Sequence, residues 1–135
     1  MTKAPESPPS MVDVRNVTMR FKSVEAVKDI SLQIPKGHVL GLVGSDGAGK
    51  STLLRLVATM IQPTSGNIDI DGLHVVTYKQ KIKNIIGYMP QRFGLYQDLT
   101  VEENMDFFMD IFAVPRRERK ERKEKYLGFS NLLPF

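Results

Sequence analysis

Apolar residues recur at roughly every second position from Met11 to Phe21, at Val12, Val14, Val17, Met19 and Phe21, which predicts a strand. Ser31-Leu32-Gln33-Ile34 reads as a second short strand, with Pro35-Lys36-Gly37 as the turn after it. Val39-Leu40-Gly41-Leu42-Val43 is a continuous apolar run and predicts a buried strand. Thr52-Leu53-Leu54-Arg55-Leu56-Val57 is amphipathic and predicts a helix from about Gly49, stopping near Gln62-Pro63 because proline cannot continue it. Thr64-Ser65-Gly66 is a turn, Asn67 to Ile70 alternates polar and apolar as a strand does, and Asp71-Gly72 is a hairpin signal. Ile85-Ile86-Gly87-Tyr88-Met89 predicts another buried strand, ended by Pro90. Leu99 to Glu103 opens a helix, with Thr100 as N-cap and Glu103 completing a capping box. Val101, Met105, Phe108 and Phe112 fall on one face of it. Pro115 starts a last helix that Gly128 ends. No internal repeat is present.

Between the third strand and the first helix lies Gly44-Ser45-Asp46-Gly47-Ala48-Gly49-Lys50-Ser51-Thr52, which fits G-x-x-x-x-G-K-[ST], the P-loop. Strand, glycine loop and helix in that order are the context that motif requires. The glycines let backbone N–H groups turn inward as an anion nest. The helix N-terminus adds its partial positive charge at the same point. Lys50 would reach the terminal phosphates and the Ser51 hydroxyl would hold Mg²⁺.

Composition narrows the picture further. The 135 residues are enough for one domain with a core. There is no cysteine, hence no disulfide framework and no thiolate metal site, which suits a reducing cytosol. No apolar stretch approaches the length of a membrane span. Residues 1–10 are polar and carry three prolines, and are expected to be a disordered tail rather than a signal peptide. The net charge of +4 is concentrated in Arg116 to Lys125, ten consecutive charged residues of which seven are basic and three acidic. The remainder of the chain holds twelve basic and twelve acidic residues, so no basic face for nucleic acid is expected. Glu118 precedes Arg122, and Glu121 precedes Lys125, by four residues in the favourable orientation for helix pairs, and this segment reads as a solvated helix face. Asp106 and Asp110 read as the polar side of their helix, and His38 and His74 have no neighbours that would make a ligand set.

These features together resemble the N-terminal part of an ABC-transporter nucleotide-binding subunit. More than forty residues of strand-like chain precede the P-loop, as in that family's antiparallel β-subdomain. Val27-Lys28-Asp29-Ile30-Ser31-Leu32 followed by Pro35-Lys36-Gly37, and Pro63-Thr64-Ser65-Gly66-Asn67-Ile68 followed by Asp71-Gly72, resemble its approach to and exit from the P-loop helix. Ile86-Gly87-Tyr88-Met89-Pro90-Gln91 resembles its Q-loop, and Leu99-Thr100-Val101-Glu102-Glu103-Asn104 the start of its helical subdomain. The last two segments look most like the branch that exports drugs through a separate permease. The resemblance implies an α/β P-loop NTPase fold: an antiparallel β-subdomain and P-loop core over 11–97, and the start of a helical subdomain over 98–135.

The resemblance also implies roles. Phe21 would stack on adenine, with simple core packing as the other reading, and Val27 would touch the same base or merely pack. Gly44 to Thr52 would cradle the phosphates of ATP, with Lys50 and Gln91 acting in catalysis and Ser51 and Gln91 toward Mg²⁺. Asp46 stands where the family usually has asparagine. It would either add like-charge repulsion toward the triphosphate or face solvent and cap the turn. The family's apolar strand ending in Asp-Glu, its Leu-Ser-Gly-Gly signature and its switch histidine do not occur in these 135 residues, so the chain is expected to bind ATP without hydrolysing it. Without later strands, strand edges and apolar faces are expected to be exposed and the isolated chain to be marginally stable. The implied partners are a membrane permease in trans and a second nucleotide-binding domain, at the inner face of the cell membrane. A non-transport ABC protein and a bare nucleotide-binding module are the alternatives.

Overall fold

The structure, a computed structural model, describes residues 10–91 and 94–134. It divides into two compact units, Met1–Met89 and Pro90–Phe135. The expected tail lies outside the described residues except for Ser10, which begins the first strand.

In the first unit β1 (Ser10–Phe21) and β2 (Val24–Pro35) form a long antiparallel hairpin, so the second strand is much longer than the four residues expected. β3 (Ser65–Ile70) pairs antiparallel on the other side of β1, and β4 (Leu73–His74) follows, giving the order β2-β1-β3-β4. Val14 and Val17 are both buried although three residues apart, because the β1 register slips between them. Asn16, inside that slip, has φ 49° and donates from Nδ2 to Asp29 Oδ1 at 3.0 Å. Asp71 (φ 47°) and Gly72 (φ 76°) make the tight turn between β3 and β4 that the hairpin signal implied.

One helix, α1 (Lys50–Val57), sets Leu53 and Leu56 against Val14, Val17, Val27, Ile68 and Ile70. It is shorter than expected. The chain leaves it at Thr59, which adopts φ 58°, while Thr59 N–H donates to Leu56 O (3.0 Å) and Met60 N–H to Arg55 O (2.9 Å). That pair of bonds is a Schellman stop, reached well before Pro63. A second helix that the sequence pattern did not announce, α2 (Lys79–Lys83), brings Ile82 into the same core.

Two expected strands do not form. Residues 38–44 and 86–90 carry no ladder, and the apolar side chains of the first run are open: Val39 is 100% and Val43 99% exposed, with Leu40 and Leu42 also exposed. Ile85 and Met89 of the second run are exposed as well, and only Ile86 packs partly on the core. An apolar run becomes a buried strand only when neighbours pair its N–H and C=O groups, and among the described residues none does so here.

The second unit contains α3 (Val101–Ile111) and α4 (Arg116–Phe129). Thr100 caps α3 as expected: Glu103 N–H donates to Thr100 Oγ1 (3.2 Å) and Thr100 N–H to Glu103 Oε2 (2.8 Å). The Thr100 N–H bond, and after it a bond from the Thr100 hydroxyl to the same carboxylate oxygen at 2.7 Å, hold the Glu103 carboxyl below its ordinary range. The Asn104 side chain is buried and bonds the Tyr96 main chain at both N–H and C=O, fixing the chain ahead of α3. Asp106, with Glu102, receives Lys123 from α4 at 2.8 Å, and Asp110 receives Arg119 at 2.7 Å. Asp106 and then Glu102 hold the Lys123 ammonium above its ordinary pKa. Glu118 meets Arg122 at 2.9 Å as expected. Gly128 does not end α4; it lies inside, and Ser130 is the C-cap. Val101, Met105, Phe108 and Phe112 line one groove of about 510 Å³ with Tyr126 and Leu127. No helix among the described residues is long and apolar enough to cross a membrane.

Candidate phosphate-binding site

The loop from Gly44 to Gly49 delivers the chain into α1 through two left-handed glycines, Gly47 (φ 81°) and Gly49 (φ 85°). Gly49 has two reasons to be glycine. Its φ lies where a side chain is strained, and a Cβ there would sit 2.2 Å from the Ala26 carbonyl oxygen of β2. The loop therefore lies directly against β2, next to Val27, whose Cγ2 would be 3.4 Å from the same Cβ.

At the start of α1 the first intrahelical bond is Leu53 N–H to Gly49 O, 2.9 Å. The N–H groups of Lys50, Ser51 and Thr52 precede it and have no acceptor within the helix. Gly49 offers no capping side chain, and the first turn carries no acidic residue. The helix dipole and these N–H groups thus meet no counter-charge within the first turn of α1, which favours anion binding. Lys50 Nζ folds back onto Gly44 O (2.8 Å) and Ser45 O (2.7 Å). Both acceptors are neutral carbonyls, so an arriving phosphate would be the stronger partner for the ammonium.

Gly44, Ser45, Asp46, Gly47, Ala48 and Ser51 are exposed, and Gly49, Lys50 and Thr52 half-buried. A groove of about 470 Å³ beside the loop is lined by Val27, Gly47, Ala48, Gly49, Lys50 and Leu53, with Glu25 and Lys28 among its other residues. Val27 itself is 6% exposed and belongs to the core, so it both packs and borders the groove. Phe21 ends β1 opposite Val24, 46% exposed, and is not part of the groove wall. Gln91 is exposed in the second unit.

Sequence reading missed a cluster of charges on β1 and β2. Arg20 Nε donates to Glu25 Oε1 at 2.8 Å and Lys28 approaches Glu25 Oε2 at 3.3 Å, so Arg20 first, then Lys28, holds Glu25 below its ordinary pKa. The only available signal was the tight pairing of Arg20 with Glu25 across the hairpin, invisible until the register is known.

For Mg²⁺ the donor set is oxygen only. Among the described residues no cluster of three or more His, Cys, Asp or Glu could hold a metal. The exposed Ser51 hydroxyl at the helix start suits a hard cation that keeps phosphate and water as its other ligands, so the residues present fit Mg²⁺ held together with a nucleotide.

A glycine loop that leads into an uncapped helix N-terminus, with a lysine at the first helical position, defines a P-loop nucleotide-binding protein. The chain belongs to the ABC transporter family: the family model of that description matches residues 27–133. It is similar, at 38% identity over 128 residues, to the probable multidrug ABC transporter ATP-binding protein YbhF of Escherichia coli, covering 93% of this chain and 22% of that protein. It is also 38% identical to the ABC transporter ATP-binding protein NatA of Bacillus subtilis, covering 84% of this chain and 48% of that one. The methionine import ATP-binding protein MetN 1 of Bacillus cereus is 38% identical over 130 residues, 90% of this chain and 38% of that protein. Among solved structures, the ATP-binding cassette MJ0796 in a post-hydrolysis dimer bound to ADP and Pi superposes with a TM-score of 0.74 at 30% identity, covering 90% of this chain and 57% of that one. The chain thus spans between about a fifth and a half of the length of these curated relatives. The fold is that of the ABC ATPase, over the part these residues cover.

Proposed function

We propose that this chain is the ATP-binding part of an ABC ATPase whose binding and hydrolysis of ATP drive export through a separate membrane permease. The observation that carries the reading is the start of α1, where N–H groups without acceptors and the Lys50 ammonium converge on one exposed loop. In it, Gly44 to Thr52 hold the phosphates, Lys50 offsets the charge of the terminal ones, Ser51 serves Mg²⁺, and Gln91 is assigned to the same ion by its Q-loop motif alone. Phe21, nearly half exposed at a strand end, offers a ring face for adenine, and Val27, which borders the groove by the loop, would touch the same base. The export assignment is supported by the multidrug name of the YbhF relative. Import has equal numerical support in the 38% identity to MetN 1, and vesicles carrying the whole transporter would separate the two by the direction of ATP-driven movement. The chain would work at the inner, ATP-containing face of the cell membrane, beside its permease and a second nucleotide-binding domain.

The 135 residues by themselves are proposed to bind and not to turn over. They contain no apolar strand ending in Asp-Glu, so neither a Mg²⁺ carboxylate nor a group to activate water follows the cradle. Calorimetric titration of the chain with Mg-ATP should give saturable binding that Lys50→Ala weakens at least about tenfold, the loss expected for a charge-assisted contact of roughly 1.4 kcal/mol or more. Phosphate release should stay at the level of a protein-free blank. Release that Lys50→Ala abolishes would contradict the second part, and absence of saturable binding the first.

A further inference from the structure

We infer that Asp46 makes this loop favour the divalent-cation complex of a triphosphate over the metal-free form. The inference rests on the nucleotide reading above and deepens it. Asp46 is the only acidic residue between Gly44 and Thr52, and it is exposed in the turn that Ala48 N–H closes on Ser45 O at 3.3 Å. Among the described residues its carboxylate makes neither a hydrogen bond nor an ion pair, so it does not cap the turn. The nearest ammonium in sequence, Lys50, is engaged on the carbonyls of Gly44 and Ser45 instead. The α1 first turn supplies no other acid. The helix-start N–H groups and the Lys50 ammonium attract an anion, and Asp46, three residues before the N-cap Gly49, is the one fixed negative charge in the same loop.

Coulomb repulsion scales with the product of the charges. A metal-free triphosphate presents its full charge to the Asp46 carboxylate, whereas the Mg²⁺ complex presents much less. The carboxylate oxygens are also the hard donors that a divalent cation accepts, directly or through water. Because Asp46 is solvent-exposed, water and salt screen the repulsion, which limits its effect to a few-fold in affinity. Asp46 therefore discriminates between metal-bound and metal-free nucleotide rather than setting overall affinity.

The test is ATP affinity of the 135-residue chain in excess MgCl₂ and in EDTA, at matched ionic strength, for the unmodified chain, Asp46→Asn, Asp46→Glu and Lys50→Ala. Asp46→Asn should tighten metal-free ATP by about fivefold and change Mg-ATP by less than about twofold, as a screened charge term predicts. Asp46→Glu, which keeps the charge, should keep the unmodified ratio between the two conditions. The inference is overturned if Asp46→Asn changes both affinities equally, or neither, while Lys50→Ala still loses binding. If Lys50→Ala binds as the unmodified chain does, the nucleotide reading has failed and the role of Asp46 falls with it.

Discussion

Thr59 offers the sharpest test of the packing described here. It occupies the position after the α1 C-cap, where the Schellman geometry calls for a left-handed residue and glycine is the usual one. A β-branched residue at φ 58° is a genuine outlier, and the left-handed conformation costs an L-residue about 1–2 kcal/mol. Thr59 is also 2% exposed, and its Oγ1 is buried without a hydrogen-bond partner among the described residues, which costs a further 1–3 kcal/mol or so. Thr59→Gly removes both penalties. Against it stand the loss of a buried methyl, about 0.8 kcal/mol, and the larger unfolded-state entropy of glycine, about 0.5–1 kcal/mol. The balance favours the variant by about 1–2 kcal/mol, a rise of some 4–16 °C in the melting temperature of a unit this small. Thr59→Val separates the contributions: it removes the orphaned hydroxyl, keeps the branched strain, and should recover only about 1 kcal/mol. Far-UV circular dichroism during thermal and urea unfolding reads both. A Thr59→Gly chain less stable than the original would refute the reasoning, since it would mean that the methyl contact outweighs strain and desolvation together.

Two further outcomes follow from the loop and from α3. Gly49→Ala places a Cβ 2.2 Å from the Ala26 carbonyl at φ 85°, so it should lower stability by about 2 kcal/mol or more and weaken ATP binding together, measured by urea unfolding and calorimetry. Glu103 has its folded pKa depressed by the Thr100 bonds, so the unfolded chain binds the proton more readily, and the capping contribution is present above the unfolded pKa and lost as pH falls through the folded one. Amide exchange of Glu103 and Asn104 should therefore quicken, after correction for intrinsic rates, below pH about 4, while Glu103→Gln should flatten that dependence.

How much was legible depended on whether a signal was local. Thr100 and Glu103 announce a helix start because both halves of the box lie within one turn. Asp71-Gly72 announces its hairpin because left-handed φ values at two consecutive positions suit few other residues. The glycine loop is legible for the same reason, and its spacing places it where the structure has it, at the start of α1. Val39 to Val43 and Ile85 to Met89 were misread because their apolar runs specify a strand only in the presence of neighbours, which the sequence pattern cannot supply. The end of α1 was misplaced because Thr59 gives no warning of a left-handed stop; threonine is a poor residue for it. β2 was underestimated since Val24 to Ile30 mixes charged and apolar residues, yet the β1 register makes a strand of it and pairs Arg20 with Glu25. Gln91 is legible as a motif member, while its contribution to a site depends on residues brought near it by tertiary structure.

The central claim is that the Gly44–Thr52 loop holds the phosphates of a nucleotide. Its most direct test is to follow backbone amide resonances of the ¹⁵N-labelled chain during titration with Mg-ATP. The account predicts that the amides of Gly47 to Thr52 shift first and furthest, saturate together, and need at least about tenfold more Mg-ATP to shift in Lys50→Ala. Saturable shifts centred elsewhere, or shifts of the loop amides that persist unchanged in Lys50→Ala, would contradict it.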